Sequence, residues 1–145
     1  RYGTVTGVQT CALPICLCGG VQFELISPLR EALSCHCSQC RKTSGHYWSA
    51  TSVPISQFRM RTSDTLKWYT SSATARRGFC GTCGSSLFWE PNPISPFWKD
   101  NETMVYVSCG SLEAPTGITE ESHVFTEDKG DYYILISDKN LSVKT

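Results

Sequence analysis

Short runs of aromatic, β-branched and aliphatic residues recur along the chain: VQFELI (21–26), YWSATSV (47–53), FRMRT (58–62), LKWYT (66–70), SLFWE (86–90), MVYVSC (104–109), SHVFT (122–126) and YYILI (132–136). Gly, Pro, Ser, Asn and Asp separate them, which is the pattern of many short strands joined by turns. SQCRKTSG (38–45) can start a helical turn, but no stretch carries the 3.6-residue apolar period of a long amphipathic helix. The pattern therefore predicts an all-β fold, a sandwich or two packed sheets. PNPISPFWKDN (91–101) holds three prolines, cannot be a central strand, and is expected to be a surface loop that borders a pocket. There is no internal repeat and no low-complexity tract.

Charge narrows the function. The 145 residues include 13 basic and 13 acidic side chains, so the formal net charge is zero and neither a nucleic-acid nor a membrane surface is indicated. No run of 18 apolar residues occurs, and no stretch has the basic, apolar, small-residue order of a signal peptide, so the protein reads as soluble and cytoplasmic. One domain is expected. Nine cysteines is an odd count, and their close clustering suits metal ligation better than a disulfide framework.

The segment VTGVQTCALPI (5–15) resembles the in-frame translation of a sequencing-library adapter. On that reading residues 1–15 are a non-native segment, Cys11 carries no chemistry, and the domain spans residues 16–145.

The remaining cysteines fall into CLC (Cys16, Cys18), CHCSQC (Cys35, Cys37, Cys40), CGTC (Cys80, Cys83) and a lone Cys109. In a strand, side chains two apart share a face, so Cys16 and Cys18 can offer two sulfurs to one ion, while CxxC followed by Gly84 is a turn that curls two more around it. A closed four-thiolate zinc site follows, the plainer alternative being cysteines buried as small hydrophobes. Cys35, Cys37 and Cys40 are then left as a three-thiolate set. A zinc with three protein ligands keeps its fourth position for water or substrate, the layout of a catalytic zinc. The competing reading is a second structural zinc closed by His36 or Cys109. His36 is the poorer closing ligand, because in a strand it points away from its cysteine neighbours. Cys109 is more often a core residue.

The motifs CLCGG (16–20), CHCSQCRKTSG (35–45), RRGFCGTCGSSL (76–87), CGSLEAP (109–115) and HVFTED (123–128) together resemble the glutathione-dependent formaldehyde-activating enzyme family, which includes centromere protein V-like members. The resemblance spans nearly all of residues 16–145. It implies a β-tent fold, a structural zinc on Cys16, Cys18, Cys80 and Cys83, and a catalytic zinc on Cys35, Cys37 and Cys40. It also implies a reaction in which the glutathione thiol adds to formaldehyde to give S-hydroxymethylglutathione. The strand residues expected just before Cys16 are replaced by the adapter-like segment.

Such chemistry suits an open zinc position, which favours thiolate over thiol. Three cysteine thiolates leave the centre with surplus negative charge, so positioning and thiolate delivery are expected to outweigh carbonyl polarisation. Glutathione carries two carboxylates, and Arg41, Lys42 and Arg77, with Arg76 beside it, are candidates to hold them; each can equally be a solvated surface charge. His46 and Tyr47 are candidates to line the pocket, Tyr47 and Trp48 equally to lie in the core. The reading from a different class is a non-catalytic zinc-binding module for protein partners. The C-terminal SDKNLSVKT is too short and mixed for a basic chromatin-type tail. A zinc-containing methionine-sulfoxide reductase would want two CxxC pairs, and the first pair here is CxC.

Overall fold

A computed structural model describes residues 13–26, 28–91 and 103–136. The expected loop over 91–101 lies outside the described residues beyond Pro91, and so does Cys11.

The strands are short and number nine among the described residues: β1 Gln22–Leu25, β2 Ala32–Cys35, β3 Trp48–Pro54, β4 Phe58–Thr62, β5 Leu66–Ser72, β6 Ala75–Cys80, β7 Ser86–Pro91, β8 Met104–Ser108 and β9 Glu121–Val124. A short α-helix, α1 Ser38–Ser44, follows β2. β1 and β4 form a two-stranded sheet, and the other strands form a seven-stranded sheet in the order β5-β6-β7-β8-β3-β2-β9. The fold is all-β with two packed sheets, as the residue pattern predicts. Pairing is antiparallel except between β2 and β9, which run parallel and set Cys35 beside Val124.

The small sheet lies on the large one through Phe23 and Leu25, which pack with Val53, Leu87, Phe88, Val105 and Val107. Phe23 and Phe88 stand 4.8 Å apart between ring centres, and Phe58 closes on Phe23 at 5.5 Å. Each such side chain, fully buried, contributes about 1.5–3 kcal/mol. A register shift in the β6–β7 pairing, between Gly78/Phe88 and Phe79/Ser86, lets the successive residues Leu87 and Phe88 both be buried. Gly78 allows this closeness, since a Cβ there would lie 2.8 Å from the Phe88 ring and 3.0 Å from Trp68.

Two expectations differ from what is observed. YYILI (132–136) is not a strand. The place beside β2 is taken by β9, and the segment instead runs as a strap with Leu135 buried and the Tyr133 hydroxyl on His36. Cys16 and Cys18 lie not in a strand but in a tight turn, closed by Gly19 N–H donating to Cys16 O and carried by the positive φ of Gly19, 81°. Residues 14–15 supply a short extended piece in front of that turn. Ile15 bridges to Gln22, Ile15 N–H donates to Ser111 O, and Phe23 N–H donates to Pro14 O.

Candidate metal centres

The first cluster is built by two turns. The Cys16–Gly19 turn meets the β6–β7 turn, where Gly84 at φ 76° lets the chain curl back and its N–H donate to Cys80 O. The sulfurs of Cys16, Cys18, Cys80 and Cys83 all lie within 4.8 Å of one another. Cys16 to Cys18 is 3.7 Å and Cys18 to Cys80 is 3.5 Å. A tetrahedron with zinc–sulfur bonds of about 2.3 Å has sulfurs roughly 3.8 Å apart, so the spacing fits a metal and is far too long for disulfides. The surroundings favour thiolate. Hydrogen bonds from the Ser85 side chain and then its backbone bring the Cys83 thiol down to about 5. The Cys83 backbone and the Thr65 hydroxyl, the latter 3.0 Å from the sulfur, lower Cys80. Cys18 goes the other way, up to about 11, because its Gly20 N–H contact is outweighed by the neighbouring thiols, Cys80 foremost. Val21 N–H donates to the buried Cys16 sulfur at 3.3 Å.

The second cluster comes from one short stretch. Cys35 ends β2, Cys37 caps α1 with its sulfur accepting from Cys40 N–H at 3.5 Å, and Cys40 lies buried within the helix. Gly45 ends that helix at φ 85°. The three sulfurs lie within 4.8 Å of one another, and among the described residues no fourth Cys, His, Asp or Glu joins them. Trp48 and Ala50 pack beneath, with Trp89 and Tyr106 at the side. Cys40 is drawn toward thiolate by a hydrogen bond from Cys35 and by the charge of Arg77, whereas Cys35, donating that bond and partly buried, is pushed up.

His36 does not join its cysteine neighbours. It is fully buried, its Nδ1 2.5 Å from the Tyr133 hydroxyl and its Nε2 2.9 Å from His123 Nδ1. Cys109 stands outside both clusters, with its thiol pushed up by burial.

The basic candidates separate. Arg77 is buried and turns its terminal nitrogens onto the Cys40 sulfur at 3.6 and 3.7 Å. Arg76, on the opposite side of β6, pairs with Glu90 at 2.6 Å and lies over the Trp68 ring. Arg41 donates from Nε to the carbonyls of His36 and Asp128, and Lys42 is exposed on the helix. Tyr47 and Trp48 line a cavity of about 640 Å³ together with Ser44, Ser49 and Glu113, and its one cysteine is Cys16 of the four-cysteine cluster. His46 lies instead against Tyr47, Tyr132 and Tyr133.

Two clusters with the donor chemistry for metal, on an all-β frame, are what the comparisons with known proteins then meet. A model of the glutathione-dependent formaldehyde-activating enzyme family matches residues 12–128. The chain belongs to this family. It is also 24% identical over 121 residues to an uncharacterized lyase of Schizosaccharomyces pombe, a match that covers 81% of this chain and 80% of the relative. The family match takes in both cysteine clusters and β9, and its start at residue 12 includes the Pro14–Ile15 piece that pairs with β1. Among the described residues, no helix is long and apolar enough to cross a membrane.

Sequence reasoning missed several residues that this family member places around its sulfurs. Thr65 and Ser85 support the four-cysteine cluster, yet a Thr or Ser in a turn carries no metal signature. Tyr133, which holds His36, lies 97 residues away from it in the chain; His123, 87 residues away, stands in the HVFTED motif, which by itself assigns it no role.

Proposed function

We propose that this chain is a carbon–sulfur lyase of the S-hydroxymethylglutathione synthase type, joining glutathione or a similar thiol to formaldehyde. Cys16, Cys18, Cys80 and Cys83 hold a structural zinc, and Cys35, Cys37 and Cys40 hold a second. The observation that carries this reading is the contrast between the clusters, four sulfurs in one and, among the described residues, three with no fourth ligand in the other. A zinc ion on three thiolates supplies an open coordination position that favours the thiolate form of an incoming thiol.

The chain's own residues bind and orient. Trp48, Trp89 and Tyr106 pack against Cys35, Cys37 and Cys40 and hold the three sulfurs in place. Lys42 and Arg41 on α1 lend positive charge for the carboxylates. In the reaction the sulfur bonds to the carbonyl carbon, the C=O π pair moves to oxygen, and the proton lost by the thiol ends on that oxygen. Held in place, the two reactants need no further activation than proximity and a thiolate.

The test is nuclear magnetic resonance detection of the hydroxymethyl adduct from formaldehyde and glutathione, run with zinc-loaded protein against the spontaneous rate. Adduct formation above that rate supports the lyase reading. Two tightly held zinc ions with no rate enhancement would favour the non-catalytic interaction module.

A further inference from the structure

Arg77 lies where a substrate carboxylate does not reach. It is 8% exposed on β6, its terminal nitrogens are 3.6 and 3.7 Å from Cys40 Sγ, and one of them is 3.5 Å from Gln39 Oε1. Its Nε is buried without a hydrogen-bond partner, so the side chain is committed through its fork. Trp89, its partner across the β6–β7 ladder, packs with Tyr106 against the three cysteines. A guanidinium in such apolar surroundings is strongly unfavourable unless an anion balances it. The anionic partner the structure gives it is the Cys40 sulfur.

The charges of the centre explain why it is there. Three thiolates outweigh a divalent cation by one unit, and Arg77 supplies that unit from behind the ligands. We infer that Arg77 is a positioning residue for the three-cysteine centre, which neutralises its surplus charge and so lets the open position accept an anionic sulfur. This rests on the assignment of Cys35, Cys37 and Cys40 as metal ligands. It answers the objection that a three-thiolate centre would repel a thiolate. Cys80 of the four-cysteine cluster ends the strand on which Arg77 stands. The fork geometry favours Arg over Lys, whose single ammonium cannot span Cys40 and Gln39 together.

The test loads the three-cysteine site with cobalt(II) in the otherwise zinc-loaded full chain and follows the thiolate-to-cobalt absorption band. Arg77→Met and Arg77→Lys are compared with the parent for binding of 2-mercaptoethanol, which ligates as thiolate, and of imidazole, which ligates neutral. Arg77→Met is expected to weaken 2-mercaptoethanol by about tenfold or more while imidazole stays within about twofold, since only the anion senses the lost charge. Arg77→Lys should recover a large part of the difference. The charge-transfer band should move in Arg77→Met, and chelator should strip its cobalt at a changed rate. Should Arg77→Met not fold, Arg77→Lys against Arg77→Gln makes the same comparison of charge kept with charge lost. Equal weakening of both probes, or of neither, would overturn the inference. Absence of any cobalt–thiolate band in the parent would instead overturn the ligand assignment beneath it.

Discussion

Cys18 Sγ lies 3.5 Å from Cys80 Sγ across 62 residues of sequence, and Cys80 Sγ in turn lies 3.0 Å from the Thr65 hydroxyl. The CxC turn, the end of β6 and the turn before β5 thus converge on one point at the edge of the core. Cys16 and Cys80 are themselves core residues, packed with Val21, Leu87 and Phe88. A metal held there closes a long loop and adds its binding energy to folding.

Gly20 makes the approach of Thr65 possible, because a Cβ at residue 20 would collide with the Thr65 hydroxyl and methyl. Gly20→Ala should therefore push Thr65 away from Cys80, at a cost of about 1–3 kcal/mol for overpacking. The melting temperature should fall, and chelator should strip the four-cysteine site faster than in the parent. Unchanged metal release with an unchanged melt would show that Thr65 is free to move aside.

Residues 14–15 contribute more than their adapter-like sequence suggests. Pro14 is fully buried, and the two backbone hydrogen bonds with Ser111 and Phe23 are 3.2 and 3.1 Å long. At about 1 kcal/mol each, their loss removes about 2 kcal/mol. A chain truncated after residue 15 is expected to melt several degrees below one truncated after residue 12, with the same zinc content. Equal melting temperatures would mean that the pairing adds nothing to stability.

Residue pattern made the fold class and the cysteine grouping legible, and physical reasons account for what it hid. ALSC (32–35) is only four residues long with a polar half, so β2 had no run to display; its Ser34 is buried because it donates to Glu121 and pairs with Ser49. The two arginines of ARRGFC (75–80) read equally as solvated charges, yet Arg77 lies against Cys40 and Arg76 over the Trp68 ring. YYILI has the composition of a strand but no free sheet edge beside β2, and its tyrosine hydroxyl finds His36 instead. The two cysteine clusters were readable because ligand chemistry is local in sequence; what supports them is contact at a distance, which spacing does not encode.

Tyr133 is the residue whose loss should separate support from ligation. Its hydroxyl partners the fully buried His36, which stands between Cys35 and Cys37, and its ring lies 5.5 Å from the Lys129 ammonium. Tyr133→Phe leaves His36 Nδ1 without that partner, an expected loss of about 1–3 kcal/mol. Chemical denaturation should show the drop while metal analysis shows the parent's stoichiometry. Loss of metal from the three-cysteine site in Tyr133→Phe would make the strap part of the centre.

The two clusters should also fail differently when one ligand is removed. Cys83→Ser opens the site that joins the Cys16 turn to β6, and for a domain with a modest core the loss of that link should lower the melting temperature sharply or unfold the chain. Cys37→Ser acts within a six-residue stretch that β2 and α1 already hold in place, so little chain is released and the fold should persist. The exchange is mild in shape as well, because a serine hydroxyl can keep the cap on Cys40 N–H. The Cys37→Ser chain should bind one zinc fewer and form the hydroxymethyl adduct only at the spontaneous rate. Circular dichroism on melting, zinc content and adduct formation, measured together on both variants, decide the matter. Equal unfolding of the two would make both centres structural, and a folded Cys37→Ser chain with the parent's activity would remove the three-cysteine centre from catalysis.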